Sequence, residues 1–236
     1  MGRLIRHPAA DFVSERLPRV AGVLLAAGSS RRMGKPKLAL RWPDGGSVGA
    51  ESFRQLRLTV QKTIVVVRTG DSLDWLRDEL EQLLPQPSGI GDCVIVRSAA
   101  AETEGMAASL RAGVSAAAGL GADGALIALA DQPFASCRLM RKLVHAFQAS
   151  GDADWVAASD GNGPQPPVVL SRRLFSRVLA LSGDEGARTL LRDPATRGVL
   201  VPAEPGCFID IDTPDDWLRA VRMRAGGSAG TNVNVN

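Results

Sequence analysis

Tyrosine is missing from this 236-residue chain, and all aromatic residues together amount to 4% of it. That scarcity argues against a protein that binds single-stranded nucleic acid by stacking bases on aromatic rings. Charge of one sign is also in short supply. The formal net charge is only +3, so any positive field that matters is local, and nothing global points to nucleic acid. Cysteines number three, at Cys93, Cys137 and Cys207. They show no metal-ligand spacing, and their odd number suits a reducing cytoplasm. The two histidines, His7 and His145, fall in an opening arm and on a predicted helix, and no histidine mechanism can be built from them. No apolar run approaches membrane-spanning length. The opening MGRLIRHPAADFVSERLPR has cations but no apolar core of signal-peptide type, and it carries Asp11 and Glu15. The expectation is a cytoplasmic protein with neither membrane nor nucleic-acid partners.

What is present is an ordinary globular composition, long enough for one substantial α/β domain. Residues 1–18 read as a loosely attached arm, 19–225 as a single domain, and 226–236 (GGSAGTNVNVN) as a flexible tail. Within the domain, Val20–Ala26 is an apolar run short enough for a buried strand. It feeds Gly28-Ser29-Ser30-Arg31-Arg32-Met33-Gly34-Lys35-Pro36-Lys37, a loop with two glycines, two hydroxyls and four cations. Glycine lets backbone N–H groups wrap an anion, and the hydroxyls add donors. Arginine grips phosphate oxygens with a planar fork, and lysine acts as a mobile point charge. A polyphosphate is the natural guest. The loop is not a P-loop, because five residues separate Gly28 from Gly34-Lys35 and Pro36 stands where a magnesium-binding hydroxyl belongs.

Further strands are expected at Thr63–Val67, Cys93–Val96, Ala125–Ala130, Asp154–Ala158, Pro167–Leu170, Val199–Val201 and Phe208–Ile211. Helices are expected at Glu51–Thr59, Ser72–Leu84 (closed by Pro85), Gly105–Ala118, Arg138–Gln148, Arg172–Leu181, Glu185–Leu191, and from Pro214 with Thr213 as N-cap. Their alternation implies a mostly parallel sheet with helices on both faces, which binds ligands beyond the carboxyl ends of its strands.

Asp131 follows the apolar run Ala125–Ala130 and precedes Gln132-Pro133. A carboxylate there, beside a phosphate loop, is well placed for Mg²⁺, which takes a few carboxylates, phosphate oxygens and waters. Asp210 and Asp212 are two residues apart, so an extended segment presents both on one side. Either is a candidate second ligand, whereas Asp215 and Asp216 fit a first helical turn. In Gly105–Gly113, Met106, Leu110 and Val114 have core spacing, while Ser109 and Arg111 are polar candidates near a helix start. Ser30 lacks a histidine partner and is no nucleophile.

The stretch Leu25-Ala26-Ala27-Gly28-x-Ser30-x-Arg32-Met33-Gly34-x-x-Lys37 resembles the signature of nucleotidyltransferases related to the molybdenum cofactor guanylyl- and cytidylyltransferases. The likeness continues through Asp131-Gln132-Pro133, Gly105-Met106-x-x-Ser109-Leu110-Arg111, Gly183-Asp184-x-Gly186-Ala187-Arg188 and Asp210-Ile211-Asp212-Thr213-Pro214, from about Val20 to Leu218. It implies a Rossmann-like nucleotidyltransferase fold. It also implies a nucleotide site built from Leu25, Ala26, Ala27, Gly28, Ser29, Ser30, Arg31, Arg32, Gly34, Lys37, Ser109 and Asp131. Arg32, Lys37 and Asp131 are then the catalytic residues, with Arg32 toward the β/γ-phosphates and Lys37 near the α-phosphate. Asp131 with Asp210 or Asp212 holds Mg²⁺, and Gln165, Pro167 and Arg188 shape the acceptor side. Ala27, giving Leu-Ala-Ala-Gly, is what the cytidylyl members carry. The implied reaction joins CMP from CTP to molybdenum-bound molybdopterin, with a client molybdoenzyme or its chaperone as a further partner. GTP, another phosphate acceptor such as a sugar phosphate, and a non-catalytic carrier role are the alternatives. Two departures touch the substrates: Ser98-Ala99-Ala100-Ala101 replaces the family's Asn-Pro, and Gln165-Pro166-Pro167-Val168-Val169-Leu170 replaces its Gly-His-Pro-Val-Leu-Phe.

Overall fold

The computed structural model describes residues 17–82, 92–183 and 186–228. The arm up to residue 16, Pro85, the Asp184-Glu185 pair and the end of the tail lie outside the described residues.

The elements follow one another as β1 (Val20–Leu25), α1 (Val48–Arg57), β2 (Lys62–Arg68), α2 (Arg77–Glu81), β3 (Asp92–Ser98) and α3 (Gly105–Gly119). Then come β4 (Gly124–Leu129), α4 (Cys137–Ser150), β5 (Trp155–Ser159), β6 (Gln165–Ser171), α5 (Phe175–Leu179), α6 (Arg188–Leu191), β7 (Gly198–Pro202) and α7 (Pro214–Ser228). A seven-stranded sheet runs in the order β3-β2-β1-β4-β6-β5-β7. Only β6 is antiparallel to its neighbours, β4 and β5. The expected mostly parallel α/β architecture is therefore the observed one.

The core strands are apolar on both sides because helices cover both faces. In β1, Val23 enters a core with Ile64, Val66, Leu110, Val114 and Phe175. The next residue, Leu24, enters the opposite core with Phe53, Leu56, Leu126, Met140 and Leu143. α3 lies so close to β1 that a Cβ at Gly113 would stand 2.3 Å from Val23 Cγ1. A third, smaller core gathers Met33, Leu40, Trp42, Val48, Ile211 and Ala220, with Phe134 and Trp217 against it. There Trp42 meets Trp217 at 4.8 Å between ring centroids, and the Arg224 guanidinium sits 4.7 Å over the Trp42 ring.

Several local expectations change. Phe208–Ile211 is not a strand: Pro205–Phe208 forms a 3-10 turn, and the following residues are extended outside the sheet. Pro205 ends strand pairing by fixing the turn and removing a donor. The helix expected at Ser72–Leu84 shrinks to α2 among the described residues, and Arg172–Leu181 divides into a 3-10 turn and α5. The capping of α7 is as expected and reciprocal. Asp216 N–H donates to Thr213 Oγ1 at 3.2 Å, and Thr213 N–H donates to Asp216 Oδ2 at 2.8 Å. Asp216 is thereby a structural residue.

Candidate active site

β1 and β4 are paired neighbours, so the loops leaving them lie side by side at the carboxyl edge of the sheet. Ala26 N–H donates to Val66 O at 2.8 Å, and Ala130 N–H donates to Leu25 O at 3.1 Å, which extends that edge by one residue on each strand. Beyond it the chain turns through Ser30, whose φ of 51° is left-handed, and Gly34, at 71°. Buried Met33 fastens this loop to the third core, while Gly28, Ser29, Arg31, Arg32, Gly34 and Lys35 remain exposed. A Cβ at Gly28 would meet nothing closer than Lys37 Cε, at 3.8 Å. The protein itself does not require glycine there, and the bare backbone leaves room beside the lysine for a ligand.

Lys37 is the centre. Its side chain is 8% exposed, and its Nζ contacts Asp131 Oδ2 and also Asp212 Oδ1, the latter at 2.7 Å. Asp212 gives its other oxygen to Arg32 Nη2 at 2.7 Å, and Arg32 is 72% exposed. The segment carrying Asp210 and Asp212 is tied down by Ile211, whose side chain is buried in the third core and whose N–H donates to Asp131 O at 3.0 Å. Asp210 accepts from Gln132 Nε2 at 2.9 Å. Burial alone would lower the Lys37 pKa, but the charges and hydrogen bonds of Asp131 and Asp212 outweigh it and raise the value. Burial first, and then the charge of Asp131, push the Asp210 carboxyl up to about 6. Asp131 and Asp212 thus share one buried ammonium, Asp212 also holds one surface guanidinium, and Asp210, beside them, is hydrogen-bonded by Gln132 rather than by a cation.

Gln132, Asp210 and Leu25 also line a cleft of about 490 Å³ on the α3 side of the sheet. Its walls include Met106, Ile127, Leu129, Pro166, Val168 and Phe208, and Arg188 and Arg192 border it. A cavity of similar size at the opposite edge, among Val20, Lys62, Ala122 and Gln148, contains none of the expected site residues.

The structure therefore brings Arg32, Lys37, Asp131, Asp210 and Asp212 to one edge, with Leu25, Gln165 and Arg188 on the adjoining cleft. It does not bring Ser109 to the lysine cluster. Ser109 is buried in α3 and makes no hydrogen bond to that cluster. Arg111 is a structural tie, donating to Leu181 O at 2.6 Å and pairing with Glu104. Pro167 is buried in β6, and its neighbour Pro166 lines the cleft instead. Met106 has core spacing but is half-exposed, because the cleft opens over the start of α3. The sequence marks Gln132 only by its place directly after Asp131 at a buried strand end. Among the described residues no group of three or more His, Cys, Asp or Glu is arranged to hold a metal ion, and no helix is long and apolar enough to cross a membrane.

Comparison with known proteins places the fold and the family. Purine catabolism protein PucB of Bacillus subtilis is 35% identical over 206 residues, covering 86% of this chain and 96% of that one. Molybdenum cofactor guanylyltransferase of Rhodobacter capsulatus is 28% identical over 203 residues, covering 86% and 95%. The crystal structure of Rv0371c from Mycobacterium tuberculosis H37Rv superposes with a TM-score of 0.66 at 24% identity, covering 86% of this chain and 98% of that one. The same protein has been solved in complex with manganese. Residues 22–199 match the MobA-like NTP transferase domain, a span that takes in the Gly28–Lys37 loop and Asp131, and the chain is accordingly a member of that family of nucleotidyltransferases.

Proposed function

We propose that this enzyme transfers CMP from CTP to the phosphate of molybdenum-bound molybdopterin and releases pyrophosphate. The observation that carries the reading is Lys37, a buried ammonium held between Asp131 and Asp212 beneath a glycine- and arginine-bearing loop. An exposed loop with free backbone N–H groups suits the triphosphate. Arg32 then binds the β/γ-phosphates, and Lys37 meets the charge that develops around the α-phosphorus. The acceptor phosphate attacks that phosphorus in line, one P–O bond forms as the bond to pyrophosphate breaks, and no covalent enzyme intermediate is required.

The donor set fits a hard divalent cation such as Mg²⁺. Asp212 has both oxygens engaged by Lys37 and Arg32, whereas Asp131 and Asp210 each engage one. Asp131 and Asp210 are therefore the pair to hold it, with phosphate oxygens and water completing the shell. When bound, the cation neutralises charge on the leaving pyrophosphate. The manganese complex of Rv0371c supports a divalent metal at a related fold.

The resemblance of Leu-Ala-Ala-Gly, through its second alanine Ala27, to the cytidylyl members favours CTP. The guanylyltransferase relatives favour GTP as the second reading. Calorimetric titration with each nucleotide in the presence of Mg²⁺ separates them. Tighter binding of CTP is expected; tighter binding of GTP transfers the product to the guanylyl side.

A further inference from the structure

Each segment that feeds the Lys37 cluster also sends an apolar side chain into the third core. Met33 directly follows Arg32, Phe134 comes three residues after Asp131, and Ile211 stands between Asp210 and Asp212. Trp42, five residues after Lys37, lies among them and is 3% exposed. Its ring meets Phe134 edge-on at 6.1 Å and Trp217 at 4.8 Å between centroids, with the Arg224 guanidinium 4.7 Å over it. The backbone beneath the ring is fixed by a tight turn. Trp42 N–H donates to Gly46 O at 3.1 Å, and Gly45 N–H donates to Trp42 O at 3.0 Å. The indole N–H has no hydrogen-bond partner among the described residues, so the side chain acts through its area and its ring faces.

α7 turns one stripe toward this ring. Trp217, Ala220, Val221 and Arg224 are spaced i, i+3, i+4 and i+7, the pattern of a helix that docks by one side. Ala220 is fully buried, and Arg224 Nε also reaches Asp44 Oδ2 at 2.8 Å, in the same turn as Trp42. Asp212 stands two residues before the start of α7, and Thr213 between them caps the helix. Where α7 sits therefore fixes where Asp210 and Asp212 stand. We propose that Trp42 is a positioning residue, which seats α7 and so holds the Asp210–Asp212 segment against Asp131 and Lys37. The proposal rests on reading Asp131 and Asp210 as the pair that holds the cation; groups that must converge on one ion lose on the order of a hundredfold in rate for a misplacement of about 1 Å.

The test compares wild type with Trp42→Leu and with Phe147→Leu, a change in the second core at the start of β4 that controls for lost stability. The first readout needs neither metal nor turnover. It is deuterium exchange at Ile211 N–H, the donor to Asp131 O. Trp42→Leu is expected to speed this exchange about tenfold or more relative to the amides of β1 in the same protein, and Phe147→Leu to leave that ratio unchanged. The second readout is the Mg²⁺ dependence of pyrophosphate release. Trp42→Leu is expected to raise the half-saturating Mg²⁺ concentration about tenfold and to lower maximal turnover by a similar factor, with Trp42→Phe recovering most of both. Trp217→Leu, at a half-buried position on α7, is expected to act in the same direction and replaces Trp42→Leu if that variant does not fold. An Ile211 exchange ratio equal to wild type in the folded variants, or an unchanged Mg²⁺ midpoint and turnover, overturns the proposal. Absence of pyrophosphate release by wild type is the separate failure of the transferase reading, and the exchange ratio then decides the role of Trp42 by itself.

Discussion

Two clusters of aspartate and basic side chains stand at opposite edges of the same sheet and are built on opposite plans. At the amino edge, Asp154 takes the Arg197 N–H on one carboxylate oxygen at 2.9 Å and Arg173 Nε on the other at 3.0 Å. Its backbone N–H donates to Arg197 O, and its carbonyl accepts from Ser171 N–H. The Arg197 N–H, aided by Arg173, holds the Asp154 carboxyl below the usual carboxylate range. The start of β5, the start of β7 and the end of β6 are joined there, and each carboxylate oxygen has a donor. At the carboxyl edge, Asp131 and Asp212 share Lys37, Asp212 also takes Arg32, and Asp210 has only the Gln132 amide and a pKa pushed up to about 6 by burial and the charge of Asp131. A saturated carboxylate secures strands. The carboxylates at the other edge, with donor oxygens left over, are the ones proposed above to hold a cation.

The contrast is most sharply broken at Lys37. Lys37→Met leaves Asp131 and Asp212 facing each other without their ammonium. Turnover is expected to fall by about two decades or more. Stability is expected to fall by about 2–3 kcal/mol, less than for a fully dry pair because both aspartates keep some solvent access. Part of that stability returns when Mg²⁺ is added, and melting curves with and without Mg²⁺ measure it. Asp154→Asn is the converse. It should cost about 1–2 kcal/mol in denaturant unfolding, because charge-assisted hydrogen bonds at the strand ends are weakened, with turnover within about twofold of wild type. The Asp154 pKa is lower in the folded state than in the unfolded one. Its contribution is therefore complete above the ordinary carboxylate pKa of 3.8 and is lost as pH falls below it toward the folded value. The Asn variant should show a correspondingly shallower loss of stability on acidification. Arg32→Ala is the smallest change in stability, within about 0.5 kcal/mol by thermal melting, since the pair with Asp212 is largely solvated on the arginine side. Nucleotide affinity, measured by calorimetry, should nonetheless fall several-fold.

The carboxyl edge is legible in the sequence because its candidate residues are carried by short runs. A strand, a glycine-bearing cationic loop and an aspartate at the end of another strand each leave a local pattern, and parallel pairing of β1 and β4 brings them together. The sheet was legible for the same reason: apolar runs of strand length alternate with segments of helical period. What escaped depends on tertiary partners. Met106 has core spacing, yet the cleft opens over it. Arg111 has the look of a ligand-binding residue until Leu181 and Glu104 are seen beside it. Gln132 acquires meaning only when Asp210, distant in sequence, takes its amide. The amino-edge cluster leaves no local pattern, because Asp154, Arg173 and Arg197 belong to three separate strand ends with no shared motif.

The most direct test of the central claim is Mg²⁺-dependent pyrophosphate release by Asp131→Asn, read together with its melting temperature. The account predicts a loss of about two decades or more in turnover, with a melting temperature close to that of wild type. Turnover near the wild-type level in a folded Asp131→Asn protein would contradict it.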